Sequence, residues 1–274
     1  MARIESLAVL LSTTGNDYLA EKYGDVIANV QKNTISSRIK NTSLSGNPTA
    51  GSVEAKRFAN RTSNAYGTAR SGGAGQKVKA KPVTVAIDTD RELITEIEEK
   101  DVAFYGVDSF IDKQAAMDEK SMTRELERAF FTEAKTAGTE LTLTETEAID
   151  QLEEMIQAVE TVKNDFVDGV ERDMISVTCV PAFFGKVRTY LDNVTGGGAN
   201  GSEVGEIHGV KVYSSVYLPT GVTKGIAQAD GSVAQPVRPT KMAPEKVPFS
   251  NAVATGLFYS YGTKAVAEDL IFWA

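Results

Sequence analysis

Histidine and cysteine each occur once in this chain of 274 residues, at His208 and Cys179. One histidine cannot make a multi-histidine metal centre. It stands beside Gly209 between two strand-like runs, which is the place of a tight turn rather than of a Ser-His-Asp or Cys-His pair. One cysteine excludes an internal disulfide and fits a reducing interior. Cys179 lies in an apolar strand with no basic neighbour to lower its pKa, so it reads as a small core residue and not a nucleophile. Long apolar runs are missing as well. Leu7-Ala-Val-Leu-Leu11 is too short for a signal peptide, and nothing approaches the ~20 residues of a membrane span. The expectation is a soluble protein made in the cytoplasm. Positive charge is short overall: 29 Lys and Arg stand against 37 Asp and Glu, a net charge of -8. That balance excludes a broad basic face for nucleic acid.

Two glycine motifs fail on context. Gly196, Gly198 and Gly201 satisfy G-x-G-x-x-G, but they follow a helix and precede a strand, the reverse of a dinucleotide site. Gly72-Gly-Ala-Gly-Gln-Lys77 lacks both the Lys-Ser/Thr pair and the feeding strand of a phosphate loop. Glu98-Glu99 and Glu153-Glu154 are adjacent pairs, which point to different faces of a helix and read as solvated surface. No catalytic, cofactor-binding or metal-binding residue is assigned, and the chain reads as a non-enzyme.

What is present is ordinary in amount, with 42% hydrophobic and 24% charged residues, enough for one large domain or two modest ones. It is uneven in arrangement. The organising stretch is Lys81 to Gly138. Val83, Val85 and Ile87 alternate along a strand, and an acidic segment follows from Arg91 to Asp108. A helix is then expected over about 112–138, with Met122, Leu126, Ala129, Phe130 and Ala134 on one stripe. Twenty-odd residues at 1.5 Å each make a rod of roughly 35 Å. Phe130 is expected under this rod and Phe131, one step round, nearer the solvent. Gly138 is expected to end the helix in the left-handed conformation.

Before the rod, residues 1–40 carry a weak helical pattern through Tyr18, Val26, Ile27, Val30 and Ile35, with Asn16-Asp17 as the cap. Asn41 to Ala80 is rich in Ser, Gly, Asn and Thr, too poor in apolar side chains to fold alone, and reads as an extended arm. After the rod, Thr144 and Glu147 form a capping-box pattern ahead of an amphipathic helix through Ile149, Leu152, Met155, Ile156, Val159 and Phe166. A strand Met174–Val180, a helix opened by Pro181, and a hairpin around His208-Gly209 follow. Residues 219–248 read as loop, and two strand-like runs close the chain. Charge divides the same way. From Arg38 to Arg91 ten Lys/Arg stand against three Asp/Glu, whereas from Glu92 to Asp173 eight stand against twenty-three. A basic arm beside an acidic body suits self-association through an exchanged arm.

Taken in order, these elements resemble the major capsid proteins of tailed bacteriophages, which have the Hong Kong 97 fold. The specific residues are Val83-Thr-Val-Ala-Ile-Asp-Thr-Asp-Arg-Glu-Leu93 with Met122 to Ala134, and Ile175 to Val187 with Val204-Gly-Glu-Ile-His-Gly-Val-Lys-Val-Tyr213 and Leu218-Pro219. The resemblance implies an α+β capsid fold. Its parts would be an N-arm (1–40), an extended E-loop (41–88), a P-domain with spine helix (89–143), an A-domain (144–248) and closing strands (249–274). It implies a subunit that assembles with itself, as hexamers and pentamers, into an icosahedral virion shell around packaged double-stranded DNA. That DNA is touched only weakly and non-specifically. Separate scaffolding, portal and decoration proteins are candidate partners, and no membrane or cofactor is. The inter-subunit contacts expected are Arg70, Lys77, Lys79 and Lys81 of the arm against Glu92, Glu96, Glu98 and Glu99 of another copy. The rival of the same fold is an encapsulin-type compartment, and the rival of another class is a soluble enzyme or ligand-binding domain.

Overall fold

The computed structural model describes residues 6–61, 63, 65, 78–195 and 203–274. The chain forms two compact units, each assembled from three stretches of sequence.

The first unit comprises Met1–Arg38, Ala86–Glu127 and Pro236–Gly262. Its helix Thr13–Asn33 buries Leu19, Tyr23, Val26 and Val30, the stripe that steps of three and four select. The cap is Ser12, whose Oγ accepts the Gly15 N–H at 3.3 Å, so Asn16 and Asp17 lie inside the helix. Val253–Tyr261 is the central strand of a sheet. Thr89–Ile97 pairs antiparallel along one edge of it, and Val237–Lys241 with Glu245–Lys246 pair along the other. Alternation sends Ile97, Val253, Thr255 and Leu257 to the buried face. There the Tyr23 hydroxyl stands 3.3 Å from Thr255 Oγ1. The acidic segment is therefore a strand followed by a short helix, Glu99–Tyr105.

The expectation of loop over 219–248 is corrected: Gly225–Ala229, Val233–Ala234, Val237–Lys241 and Glu245–Lys246 are strands. Gly225–Ala229 is buried on both faces and so shows no alternation. Pro239 sits in an edge strand, where its missing N–H leaves no ladder bond unmade.

The second unit comprises Ile39–Val85, Arg128–Gln235 and Thr263–Ala274. Its mixed sheet orders the strands 139–140, 271–273, 225–229, 175–179, 210–214 and 203–207. Helices Ala148–Glu160 and Pro181–Thr195 join the core on one face, where Leu152, Ile156, Val159, Phe183 and Val187 meet Ile175, Val177, Cys179 and Val212. Complete burial holds the Cys179 thiol up at about 12, which fits its core role. The helix Ala148–Glu160 begins after Glu147, whose side chain caps nothing. Thr144 instead donates its N–H and hydroxyl to Glu154, at 3.0 and 3.1 Å, so the Thr144–Glu147 capping box is corrected to a Thr144–Glu154 clasp.

The long helix runs Val107–Ala137, 31 residues, five residues earlier at its start than the spacing predicts. Met122, Leu126, Phe130 and Ala134 are buried as expected, but so is Phe131, fully. Its ring lies edge-on to Phe130 at 5.4 Å, so the apolar arc is wider than one stripe. In the second unit, the helix end lies on the sheet's other face, with Lys135 Nζ 4.7 Å from the centre of the Trp273 ring. Gly138 does not take the left-handed conformation expected of it. It is glycine because a Cβ there would come within 2.7 Å of Ala134 O and 2.8 Å of Ile271 Cγ2. Gly138→Ala is therefore expected to destabilise the protein by about 1–3 kcal/mol through overpacking. Urea unfolding measures this, and an unchanged midpoint would mean that helix end and strand Ile271–Trp273 are not so close.

Candidate inter-subunit surface

The stretch read as an arm has a fixed root in its described part. Leu44–Ser45 and Ser52–Phe58 form a hairpin, and Ala80–Ala86 completes a three-stranded sheet in which Val53, Ala55 and Val85 are buried. The described part of the stretch 41–80 thus has more fixed structure than its composition suggests, because Val53 and Ala55 fall on one buried side of strand Ser52–Phe58. Arg57 locks the root. It holds both carboxylate oxygens of Asp269, and its guanidinium lies 5.0 Å from the centre of the Phe166 ring. Asn164 binds the same carboxylate. Burial alone would raise the Asp269 pKa, but the hydrogen bonds from Arg57 and Asn164 hold it below the usual carboxylate value. Asn60 adds a backbone bond to Asp165 O at 3.1 Å.

Beyond this root the arm offers apolar and basic groups together. Phe58 is 61% and Val78 64% exposed. Lys79 and Lys81 are exposed and form no ion pair among the described residues. Arg70 and Lys77, expected beside them, lie outside the described residues, as do both glycine motifs apart from their flanks.

The acidic candidates lie on the outward face of the first unit's sheet. Glu92 and Glu96 flank Ile94 along strand Thr89–Ile97, all three exposed, and the register sets Phe258 opposite Glu92 and Ala254 opposite Glu96. Period two makes this face acidic at its ends and apolar between. Glu98 is occupied within its own chain. It caps helix Glu99–Tyr105 in a capping box with Asp101 and pairs with Lys100 at 2.6 Å. Glu99 is exposed on that helix's first turn.

A second cluster escaped sequence reasoning. Arg172 binds Glu153 and, at 2.9 Å, Glu160, and His208 Nδ1 stands 2.9 Å from Glu153 Oε2. His208 is in a turn, as expected, with φ at 52°, and Gly209 follows at 82°. Yet its ring is also tied to the helix. Glu153 and Glu154, read as idle surface, both carry structural bonds, because the pairing partners come from residues 144, 172 and 208 that spacing along one helix cannot reveal. The Arg172 hydrogen bonds, assisted by His208 and Gln157, hold the Glu153 carboxyl at about 2. Since the folded value lies below the ordinary 4.5, Glu153 stabilises the fold above that pH and loses this contribution as pH falls from about 4.5 to 2. Glu153→Gln is expected to flatten the acid limb of a stability-against-pH curve in that window. An unchanged acid limb would mean the cluster is open in solution.

Among the described residues, no helix is long and apolar enough to cross a membrane. No family model matches the sequence and no curated protein does. Solved structures do match. The capsid of cyanophage P-SCSP1u aligns at 13% identity over 85% of each chain, with a TM-score of 0.60. The mature capsid of bacteriophage PhiM1 aligns at 16% identity over 88% of this chain and 86% of that one, with a TM-score of 0.57. A virus-like particle from Pyrococcus furiosus aligns at 12% identity over 94% of this chain and 99% of that one, with a TM-score of 0.58. Near-complete coverage of partners so distant in sequence leaves one conclusion about architecture: the chain has the α+β fold of the Hong Kong 97 capsid type.

Proposed function

We propose that this chain is the major capsid protein of a tailed bacteriophage, assembling into an icosahedral head shell around packaged double-stranded DNA. The observation that carries this reading is the fold, matched over four-fifths or more of the chain to phage capsid structures. The surface chemistry supports it. A rooted arm whose Lys79 and Lys81 form no ion pair among the described residues, beside exposed Phe58 and Val78, suits an acidic, part-apolar sheet face on another copy of the same chain. Lys79 and Lys81, with Lys77 and Arg70 further along the arm, would meet Glu92, Glu96 and Glu99 there. Glu98 would contribute through the helix it caps. An acidic subunit also grips DNA weakly, which favours packaging and release. The role is structural, with no catalytic step assigned.

The second reading is an encapsulin-type compartment holding protein cargo, and the Pyrococcus furiosus particle favours it by matching almost end to end. One experiment separates them. Purified full-length protein, alone and with its neighbouring gene products, is expected to give closed particles in negative-stain microscopy. Particles recovered from infected or induced cells should hold nuclease-protected double-stranded DNA. Particles filled with one co-purifying enzyme would favour the compartment, and a monomer under every condition would overturn both.

A further inference from the structure

At the described base of the arm the outgoing and returning limbs are bonded to each other, the Ala59 N–H donating to Lys79 O at 2.9 Å. A two-stranded ribbon is marginal alone in water and takes its direction from whatever holds it. Arg57 holds it. Its Nη1 and Nη2 meet Oδ1 and Oδ2 of Asp269, the second pair at 2.8 Å, with the two side chains only 13% and 35% exposed. Asp269 is a firm anchor, because its turn Glu268–Leu270 runs straight into the sheet strand Ile271–Trp273. The Phe166 ring beneath the guanidinium is also fixed, since Asn164 Oδ1 accepts the Phe166 and Val167 N–H at 2.8 and 3.0 Å. With its amide turned so that both ends are satisfied, Asn60 donates to Phe166 O at 2.9 Å and accepts from the Val167 and Asp168 N–H at 3.1 and 3.0 Å. Little apolar surface is covered here, for Phe58 stays 61% exposed. The lock is directional instead: a planar fork on a carboxylate fixes an angle as well as a distance.

We propose that Arg57 is the positioning residue of the arm: through Asp269 it fixes, in the free subunit, the direction in which the chain runs past Asn60. This rests on the reading of the arm as the part that binds another copy, and adds what aims it. Association costs freedom, and whatever the subunit has ordered beforehand is not ordered again on assembly. With the lock closed, the base of the arm is held by its own unit, and Lys79 and Lys81 start from a fixed point. With the lock open, the ribbon base swings about the end of strand Ser52–Phe58, and that ordering falls on the assembly step. Lysine in place of Arg57 would keep a charge for Asp269. It would lose the two-point fork and the flat face that lies over Phe166. Asn60 supports the same direction from the other side, through the turn at 166–168 and without touching Asp269.

The test uses the full-length protein with spin labels at Val78→Cys and Thr189→Cys. Both positions are exposed, and the native Cys179 is buried and takes no label. In dilute subunits, pulsed electron–electron double resonance should give one narrow distance distribution. Arg57→Ala should broaden it while circular dichroism stays that of a folded subunit, and Arg57→Lys should fall between. Without labels, the concentration needed for assembly should rise about tenfold in Arg57→Ala, the effect of moving roughly one residue's ordering onto that step. The rise should be smaller in Arg57→Lys. Asn60→Ala, which leaves the Asp269 pair in place, should shift both readouts in the same direction, and with Arg57→Lys it carries the comparison if Arg57→Ala does not fold. A role confined to stability would lower the melting temperature and leave the distances of the folded subunit narrow. If the folded variants keep the narrow distribution, or broaden it without raising the assembly concentration, the positioning proposal falls and the shell reading stands. If the unsubstituted protein never assembles, both fall.

Discussion

Phe130→Ala and Phe131→Ala are each expected to destabilise the folded protein by about 3–5 kcal/mol. Both side chains are fully buried, and their rings meet edge-to-face at 5.4 Å with planes at 90°. Removing either ring leaves a cavity and also takes the partner from the other, an interaction of about 0.5–1.5 kcal/mol beyond the buried area. The two substitutions should therefore be less than additive, with the double variant falling short of the summed losses by roughly that amount. Urea unfolding of the two single variants and the double variant completes the cycle. A tolerant Phe131→Ala beside a damaging Phe130→Ala would restore the narrow stripe that sequence spacing suggests and contradict the burial seen here.

That pair also explains what was legible in the sequence and what was not. Local periodicity located the long helix, the N-terminal helix and the helix Ala148–Glu160, because each has one core-facing side and polar residues elsewhere; the strand Ile175–Cys179 is buried throughout, but Ser176 and Thr178 alternate with its apolar residues and made it legible. It failed where a segment is enclosed on more than one side. Phe131 adjoins the stripe, and Gly225–Ala229 is buried throughout, so neither shows a period. It also failed where a bond joins distant parts of the chain. Arg57 with Asp269, Arg172 with Glu153 and Glu154 with Thr144 are all close in space, but no local rule pairs them. Gly138 was placed correctly and explained wrongly: the strand Ile271–Trp273 that makes a side chain impossible there lies more than 130 residues away. For the candidate surface, composition picked out the basic arm and the acidic stretch. The alternation that sets Glu92, Ile94 and Glu96 on one face needed the strand register.

Reversing Lys77, Lys79 and Lys81 to Glu is expected to abolish shell formation while leaving the isolated subunit's melting almost unchanged. In the described part of the arm the spacing of two puts Lys79 and Lys81 on one face. Lys79 and Lys81 are exposed and unpaired among the described residues, so the fold itself loses little, within about 0.5 kcal/mol. One exposed ion pair contributes only about 0–1 kcal/mol, but a shell repeats each pair at every equivalent contact, and reversal replaces attraction with repulsion. Salt provides a second handle. The Debye length falls to about 3 Å at 1 M, so early assembly should weaken at high salt well before the subunit unfolds. The decisive arm is compensation: Glu92→Lys with Glu96→Lys, which alone should block assembly, should restore it when combined with the triple reversal. Recovery identifies the acidic sheet face as the arm's partner. If the triple reversal assembles normally, the arm's charge plays no part in assembly. If it blocks assembly and the compensating pair fails to rescue it, the arm binds elsewhere on its neighbour.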